Sequence, residues 1–377
     1  MLRAPCLIAA ALAISCIATA AQAQDIPRFT PDPFWPKPLP NDWIVGQVSG
    51  VAVDANDHVW IVHRPLTLTA REAGAAQHPP LAECCLPAPS VIEFDQEGNV
   101  VSAWGGPDSL ERDAEGDVTR AWRGGERWPT SEHGLFVDHE GNVWMGSNGA
   151  NDQVVLKFDR EGRRLLTIGE WGVTGGSADT LHLGSPADVT VDPDAGEVYV
   201  ADGYRNRRII VFDATTGVYR RHWGAYGEPP DDAPVGPYDP GAAPARSFRS
   251  PMHAVRISYD GLVYAADRVN NRIQVFRKDG MFVREAFLAT RTLAMGSVWD
   301  LEFSPDEAQT YVYVPDGTNM KVWILDRERL GVVGSFGRGG RNAGHFEWVH
   351  NLAADSRGNV YTSEVNTGKR VQRFVRQ

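Results

Sequence analysis

A strand-turn-strand phrase occurs six times along this chain and leaves it few folds to adopt. Each copy has an apolar strand, a turn with Asp, Gly or Asn, and a second strand rich in Val and aromatic residues; the copies are VSGVAVDANDHVWIV, EHGLFVDHEGNVWMG, PADVTVDPDAGEVYVAD, MHAVRISYDGLVYAAD, VWDLEFSPDEAQTYVYVPD and VHNLAADSRGNVYTSE. Their turns start at Asp54, Asp138, Asp192, Ser258, Ser304 and Asp355. The spacing, once insertions are allowed for, matches the roughly 40–50 residues of a four-stranded blade. The repeat therefore predicts an all-β, six-bladed β-propeller.

Further strand-like segments complete each unit. A third strand follows each phrase, as in VIEFD, and a fourth usually ends in an aromatic residue and Gly, as at Trp104-Gly105. The sixth unit stops after its third strand at Gln377, so we expect the segment Asp42 to Gly46 to supply the missing strand and close the ring. This assigns residues 42–377 to the propeller and residues 24–41 to an N-terminal lead.

Three polar or Pro/Gly-rich insertions interrupt the repeat, at residues 65–89, 107–130 and 228–247. Segments of this composition and length predict surface loops. The first insertion contains the adjacent Cys84 and Cys85, which either form a vicinal disulfide or remain two free thiols.

The first 23 residues have the features of a secretory signal. Arg3 supplies a positive start, an apolar run from Leu7 to Ile17 follows, and a small-x-small cleavage site ends at Ala23. We therefore expect a secreted or periplasmic protein; an alternative interpretation makes Cys16 a lipid-attachment site. No later stretch reaches the roughly 20 apolar residues of a membrane-spanning helix.

The charge balance excludes one class of partner. With 37 Lys and Arg against 48 Asp and Glu, the formal net charge is −11, whereas binding of a phosphate backbone needs clustered positive charge. We therefore expect that the protein does not bind nucleic acid, and we also expect a monomer.

Three histidines occupy one register of the repeat. The residues five positions before the turn starts are Ser49, His133, Ala187, His253, Trp299 and His350. Histidine thus recurs in blades 2, 4 and 6, which lie about 120° apart around the axis, and the first strand of each blade lines the channel. Three imidazoles at one height predict a metal site with an open position, as in a three-histidine zinc centre. The alternative is three histidines hydrogen-bonded to channel waters or loops.

Other polar residues share the face of the histidines. Because the strands of a blade are antiparallel, the first strand starts where the second ends, and the residues at that end are Arg64, Tyr204 and Arg268. Arginine suits bidentate capture of a carboxylate, and a tyrosine beside a cation and arginines is suited to act as a base. We therefore expect a small-molecule or peptide-like carboxylate substrate. The residues expected to brace the neighbouring turns are Asp202, Asn206, Asp267 and Asn271.

Two resemblances extend these expectations. ADGYRNRRIIVF and ADRVNNRIQVF resemble the NHL-repeat signature. SEHGLFVDHEGNVWMG, VADGYRNRRIIVF, AADRVNNRIQVF and HFEWVHNLAADSRGNVY resemble the peptidyl-α-hydroxyglycine α-amidating lyases, which complete peptide amidation. That resemblance implies three zinc-binding histidines, a catalytic tyrosine and two arginines, at His133, His253, His350, Tyr204, Arg64 and Arg268.

One candidate catalytic position departs from the family pattern. The family has aspartate directly after its third histidine, with roles in catalysis and in a structural calcium site, and this chain has Asn351 there. An amide offers an oxygen ligand but neither a charge nor proton acceptance near neutral pH. The resemblance therefore implies zinc, whereas Asn351 weakens the expectation of calcium and of the full family reaction.

The leading hypothesis is an exported, zinc-dependent carbon–nitrogen lyase that cleaves an N-acyl-α-hydroxy acid (a carbinolamide) to an amide and a glyoxylate-like product. The alternative is a non-catalytic NHL propeller that binds a partner or ligand through its insertions. A calcium-dependent lactonase fits less well, because it needs oxygen ligands where this chain places imidazoles.

Overall fold

The computed structural model describes residues 26–377, and the predicted signal and Cys16 lie outside these residues. Six four-stranded antiparallel sheets succeed one another along the described chain. The inner strands of the first four sheets pack side by side in order, as do those of the fifth and sixth, and the last lies against the first. Residues of the fourth and fifth sheets share one core cluster. The prediction of an all-β fold with six blades is confirmed.

The strands of the first three blades follow the predicted units. Blade 1 contains β3 (Gln47–Val53), β4 (Val59–Arg64), β6 (Val91–Phe94) and β7 (Val100–Trp104). Blade 2 contains β11 (Glu132–Val137), β12 (Val143–Ser147), β13 (Val154–Phe158) and β14 (Arg164–Gly169). Blade 3 contains β15 (Asp188–Asp192), β16 (Glu197–Asp202), β17 (Arg208–Asp213) and β18 (Tyr219–Trp223).

The other three blades follow the same order, except that blade 6 takes its outer strand from the N-terminal segment. Blade 4 contains β19 (Met252–Ile257), β20 (Leu262–Asp267), β21 (Arg272–Arg277) and β22 (Phe282–Phe287). Blade 5 contains β23 (Glu302–Phe303), β24 (Tyr311–Asp316), β25 (Lys321–Asp326) and β26 (Val332–Phe336). Blade 6 contains β27 (Val349–Ala354), β28 (Val360–Glu364), β29 (Arg370–Arg376) and β1 (Phe29–Asp32).

The middle strands are buried on both faces because a neighbouring blade covers each face. In β16, Val198 and Val200 join a cluster with residues of blade 2. The alternate residues Tyr199 and Ala201 join a cluster with residues of blade 4. Successive side chains of a strand point to opposite faces, so this one strand packs into the interfaces with both neighbouring blades. Each large apolar side chain buried in this way stabilises the fold by roughly 1.5–3 kcal/mol.

The predicted position of the closing strand is wrong. β1 pairs antiparallel with β29, from Phe29 opposite Arg376 to Asp32 opposite Arg373. The segment predicted for this role, 42–46, instead contributes β2 (Trp43–Ile44), which pairs in parallel with β5 (Leu86–Pro87) of the first insertion. The strand that completes blade 6 therefore lies within the segment assigned to the N-terminal lead.

Aromatic packing explains why the earlier segment closes the ring. The Phe29 ring lies 5.5 Å from Tyr313 and 4.6 Å from Phe336, both in blade 5. A few residues on, Trp35 is buried and contacts aromatic rings of blades 1 and 6. The N-terminal segment thus fills the seam between the last and first blades before it enters blade 1.

Two of the three insertions contain regular secondary structure. Residues 107–130 form a three-stranded antiparallel sheet of β8 (Ser109–Arg112), β9 (Val118–Arg123) and β10 (Glu126–Trp128), so the prediction of a loop there is wrong. This sheet forms because Ala121 and Trp128 join the core cluster between blades 1 and 2. The first insertion contains β5, two 3-10 helices (Pro65–Thr67 and Gly74–Ala76) and a Cys84–Cys85 disulfide.

The remaining helical turns are short. Two 3-10 helices cover Ala225–Gly227 and Arg268–Asn270, and the third insertion, residues 228–247, has no helix or strand of its own. Within residues 26–377, no helix combines the length and apolarity needed to cross a bilayer.

Candidate metal centre

Each of the three histidines lies at an irregularity of an inner strand. The register of the inner strand against its neighbour shifts at His133, across His253 and across His350. At the first of these, Gly134 has φ of 61°, and a Cβ atom there would lie 2.5 Å from the Ala187 carbonyl oxygen. A β-bulge bends its strand and re-aims a side chain. The bulges turn the three imidazoles away from the regular pleat and toward one another.

The three imidazoles form one buried cluster. The ring centroids lie 5.0 Å apart for His133 and His253, 4.8 Å for His133 and His350, and 4.9 Å for His253 and His350. One ring nitrogen of each residue lies within 4.8 Å of the other two, close enough to face a single ion. The structure thus brings the sequence-predicted histidines together at the inner strands of alternate blades.

Hydrogen bonds at Nδ1 set the tautomer of each ring. Nδ1 of His133 lies 2.6 Å from the Ala187 carbonyl oxygen, and Nδ1 of His253 contacts the Trp299 carbonyl oxygen. Nδ1 of His350 contacts Oδ1 of Asn351. Because these oxygens only accept hydrogen bonds, each Nδ1 carries the proton and each Nε2 presents a lone pair. This is the arrangement that protein partners impose on metal-binding histidines.

Burial keeps these imidazoles neutral. It lowers the pKa of His133 and His253 well below 6.5, and the neighbouring imidazoles and the guanidiniums of Arg64 and Arg268 add to the effect. Burial and the same guanidiniums lower the pKa of His350 to about 3. Neutral imidazole is the form that binds a metal.

The arrangement around Tyr204 shows that a cation fits this centre. The Tyr204 hydroxyl lies 2.9 Å from Nε2 of His133 and 3.3 Å from Nε2 of His253. A phenol has one proton to donate, so it satisfies one of these two buried acceptors and leaves the other facing a lone pair. Unsatisfied buried acceptors are costly. A metal ion held by the three Nε2 atoms would satisfy all of them.

Repeat-specific ion pairs hold the turns that carry Tyr204 and Arg268. In blade 3, Asp202 accepts hydrogen bonds from Asn206 Nδ2 at 2.7 Å and from Arg208 Nε at 2.9 Å. In blade 4, Asp267 accepts equivalent bonds, both at 2.7 Å, from the side chains of Asn270 and Arg272. The brace in blade 4 is therefore Asn270, whereas Asn271, expected for that role, donates to the Thr292 carbonyl oxygen.

Arg64 is fixed by three neighbours. Its Nε donates to the Glu132 backbone oxygen at 2.8 Å, and its two Nη atoms donate to Gln47 Oε1 at 3.2 Å and Asn148 Oδ1 at 3.3 Å. Glu132 directly precedes His133, so one short segment positions both a histidine and this guanidinium. Sequence reasoning missed Glu132, and its adjacency to the histidine was the available signal.

Arg268 also contacts Tyr204. Its guanidinium stacks 4.4 Å from the Trp299 ring centroid and interacts with the Tyr204 hydroxyl. It is 5% exposed, and its Nε has no hydrogen-bond partner among residues 26–377. A buried guanidinium with a free donor is suited to bind an anion.

Asn351 supports His350, and its surroundings do not fit calcium. Its Oδ1 faces the imidazole and its Nδ2 donates to Asp300 Oδ2 at 3.0 Å. Calcium takes six to eight oxygen ligands, but the one amide oxygen is engaged, and the guanidinium of Arg256 contacts both Asp188 and Asp300. The Asp300 carboxylate next to Asn351 is thus compensated by a guanidinium of the protein itself.

A second group of potential metal ligands is already neutralised by an arginine. Asp54, His58 and Glu93 approach closely enough to bind a metal ion, but Arg160 pairs with both carboxylates, at 3.1 Å from Asp54. His58 Nδ1 completes the group at 2.6 Å from Glu93. We therefore interpret it as an ion-pair network between blades.

Comparisons with known proteins find NHL-repeat and peptide-amidating relatives. The family model for the NHL repeat matches residues 183–212. Peptidyl-glycine alpha-amidating monooxygenase B of Xenopus laevis is 31% identical over 240 residues, which cover 62% of this chain and 25% of that protein. A probable peptidyl-alpha-hydroxyglycine alpha-amidating lyase of Caenorhabditis elegans is 27% identical over 245 residues, 63% of this chain and 62% of the relative. The chain is a six-bladed β-propeller with one NHL-repeat match in blade 3, and its sequence is similar to proteins named as peptidyl-α-hydroxyglycine α-amidating lyases.

Other relatives have different names. Human NHL repeat-containing protein 3 is 29% identical over 260 residues, 64% of this chain and 66% of that protein. The solved structure titled streptogramin B lyase has 12% identity and a TM-score of 0.53, and the match covers 93% of this chain and 98% of that one. At this identity the match shows the fold alone. The chain spans about a quarter of the length of the amidating monooxygenase named above.

Proposed function

We propose that this protein is an exported, metal-dependent lyase that cleaves an N-acyl-α-hydroxy acid to an amide and a glyoxylate-like acid. The observation that carries the proposal is the buried cluster of three imidazole lone pairs, with a phenol between two of them. Two guanidiniums flank this cluster. The predicted signal supports export, and the lyase-named relative from Caenorhabditis elegans supports the reaction class.

His133, His253 and His350 would hold the metal, and zinc suits three neutral imidazoles. When bound, zinc supplies Lewis acidity that favours ionisation of a substrate hydroxyl. The side chains around it supply the remaining requirements, which are binding of the carboxylate and proton transfer.

The arginines orient the substrate. Arg64 is held by protein oxygens, and Arg268 is stacked on Trp299 with a donor free. Their positive charges suit the substrate carboxylate. Burial lowers the pKa of both guanidiniums, which reflects their loss of water, and a carboxylate bound between them is correspondingly well attracted.

Tyr204 moves the proton. As phenolate, its oxygen accepts the proton of the α-hydroxyl group; the electron pair then forms the carbonyl bond of the glyoxylate-like product, and the carbon–nitrogen bond breaks. The proton returns from Tyr204 to the leaving nitrogen, which yields a neutral amide. Atoms and charge balance without an oxidant or reductant.

The test is turnover of an N-acyl-α-hydroxyglycine by the zinc-loaded protein, measured as release of glyoxylate. We expect Tyr204→Phe to lower turnover by about 10²-fold or more while zinc content, measured by elemental analysis, stays the same. A zinc-loaded wild type that releases no glyoxylate contradicts the reaction. A Tyr204→Phe variant with full turnover removes the tyrosine from the mechanism.

A second candidate function is a non-catalytic propeller that binds a partner or ligand. The similarity to human NHL repeat-containing protein 3, which extends over 66% of that protein, favours it. Elemental analysis of the purified protein separates the two candidates. One zinc per chain supports the lyase, and its absence supports the binding module.

A further inference from the structure

A second layer of polar side chains lies next to the histidines. Asp188, Asp300 and Asn351 each directly follow the histidine-register residue of their blade, in blades 3, 5 and 6. All three are buried, and so is Arg256 on the inner strand of blade 4. Buried charges are rare unless they are paired, so the presence of these charged side chains in the interior needs a structural explanation.

Arg256 is the centre of the layer. Its Nη1 donates to Asp188 Oδ2, and its Nη2 lies 3.3 Å from Asp300 Oδ1. Its Nε lies 3.8 Å from a carboxylate oxygen of Glu302. Burial raises the pKa of Asp300, and the guanidinium opposes that rise. One guanidinium of blade 4 thus holds together carboxylates from blades 3 and 5, the blades on either side of it.

Asp300 transmits this arrangement to His350. Asp300 Oδ2 accepts hydrogen bonds from Asn351 Nδ2 at 3.0 Å and from the Leu352 backbone nitrogen at 3.2 Å. Because the amide N–H group of Asn351 points to a carboxylate, its oxygen faces the other way, toward Nδ1 of His350. The orientation of the amide therefore fixes which nitrogen of His350 carries the proton.

We propose that Arg256 is a positioning residue whose guanidinium is the fixed cation of this layer, orients His350 through Asp300 and Asn351, and makes the fold independent of calcium. The effect on His350 rests on the proposed metal centre. The independence from calcium does not, because it concerns only the charges of the layer.

The experiment compares wild type with Arg256→Met, which keeps the length of the side chain and removes its charge. We expect zinc affinity, measured by competition with a chromophoric chelator, to fall about 10–100-fold, the usual effect of losing a partner that orients a metal ligand. In calcium-depleted buffer, added Ca²⁺ should leave the thermal midpoint of wild type unchanged. It should raise that of Arg256→Met, because the uncompensated carboxylates then offer oxygen ligands.

Two further variants complete the test. Arg221→Met removes an ion pair with Glu197 between the second and outer strands of blade 3 and should change neither zinc affinity nor the response to Ca²⁺. If Arg256→Met does not fold, Asp300→Asn keeps the shape but removes the carboxylate, and we expect the same loss of zinc affinity.

Wild type stabilised by Ca²⁺ would overturn the proposal, as would Arg256→Met and Asp300→Asn variants that both bind zinc as tightly as wild type. If wild type binds no zinc, the proposed function fails, and the comparison of thermal midpoints still decides whether Arg256 replaces calcium.

Discussion

At the scale of single residues, the hydrogen-bond partners of the two ring nitrogens distinguish a packed histidine from a candidate metal ligand. His63 accepts a hydrogen bond at Nδ1 from the Gly46 backbone nitrogen at 3.1 Å, and its Nε2 lies 3.0 Å from the Pro89 carbonyl oxygen. Both nitrogens of this buried ring are therefore satisfied. In His133 and His253 only Nδ1 meets a carbonyl oxygen, and both Nε2 atoms compete for one hydroxyl.

His63 gives a prediction for acid stability. Burial lowers its pKa to about 4, whereas the unfolded chain takes up this proton near pH 6.5. The contribution of His63 to the free energy of unfolding is complete above pH 6.5 and is lost as the pH falls toward 4. His63→Asn keeps an acceptor for Gly46 but does not titrate. Between pH 7 and pH 5, wild type should lose about 2 kcal/mol more than the variant, measured by urea unfolding; equal losses contradict this assignment.

The sequence could predict the position of the histidines because they share one register of the repeat. The same register predicts where Asp188 and Asp300 lie, one residue further along. It places Asn351 in the same way, after His350, but it could not predict that Arg256 joins them, because that depends on which way a long side chain turns. Nor could sequence alone select Asn270 over Asn271 as the residue that braces the turn, since both are asparagines and they are adjacent.

At the scale of elements, residue composition does not identify the strand that completes blade 6. The segment 42–46 contains Trp, Ile and Val, residues favoured in strands, whereas the closing strand Phe29–Asp32 reads FTPD. A proline is tolerated in an outer strand because its missing N–H faces away from the ladder. The packing of Phe29 against blade 5 and the burial of Trp35 at the seam, which the local pattern does not reveal, explain the choice.

Trp35 gives a prediction for ring closure. Its ring is 4% exposed and lies 5.5 Å from Phe94 of blade 1 and 4.9 Å from Tyr361 of blade 6. Trp35→Ala should lower the free energy of unfolding by about 3–5 kcal/mol, measured by denaturant titration. The adjacent Phe34 is 76% exposed, so Phe34→Ala should change it by less than about 0.5 kcal/mol. Similar effects of the two substitutions would show that Trp35 does not join the blades.

At the scale of the whole molecule, the candidate centre links blades that are not neighbours in the ring. Its histidines come from blades 2, 4 and 6, and the adjacent layer adds side chains of blades 3 and 5. A ligand that binds the folded ring and not the unfolded chain stabilises the ring by mass action, by about 2.7 kcal/mol at a hundred times its dissociation constant. The proposed metal would therefore stabilise the ring as a unit.

Zinc should raise the thermal midpoint of the metal-free protein, and His253→Ala should abolish this rise because one of three ligands is lost. His139→Ala serves as the control, since His139 is an exposed residue on a turn of blade 2. The measurement is the difference between midpoints with and without zinc, so that any loss of stability from the substitution itself cancels. A rise that persists in His253→Ala would place the zinc elsewhere.

The pairing of β1 with β29 also brings the two ends of the described chain side by side. The Gln377 backbone nitrogen donates to the Arg28 carbonyl oxygen at 2.9 Å, so a short linker would join residue 377 to residue 26 without disturbing any strand. New termini opened within residues 228–247, which hold no strand, would leave all six sheets paired. The order in which the blades are synthesised is thus separable from the shape they make, and we expect a circularly permuted chain to fold to the same ring.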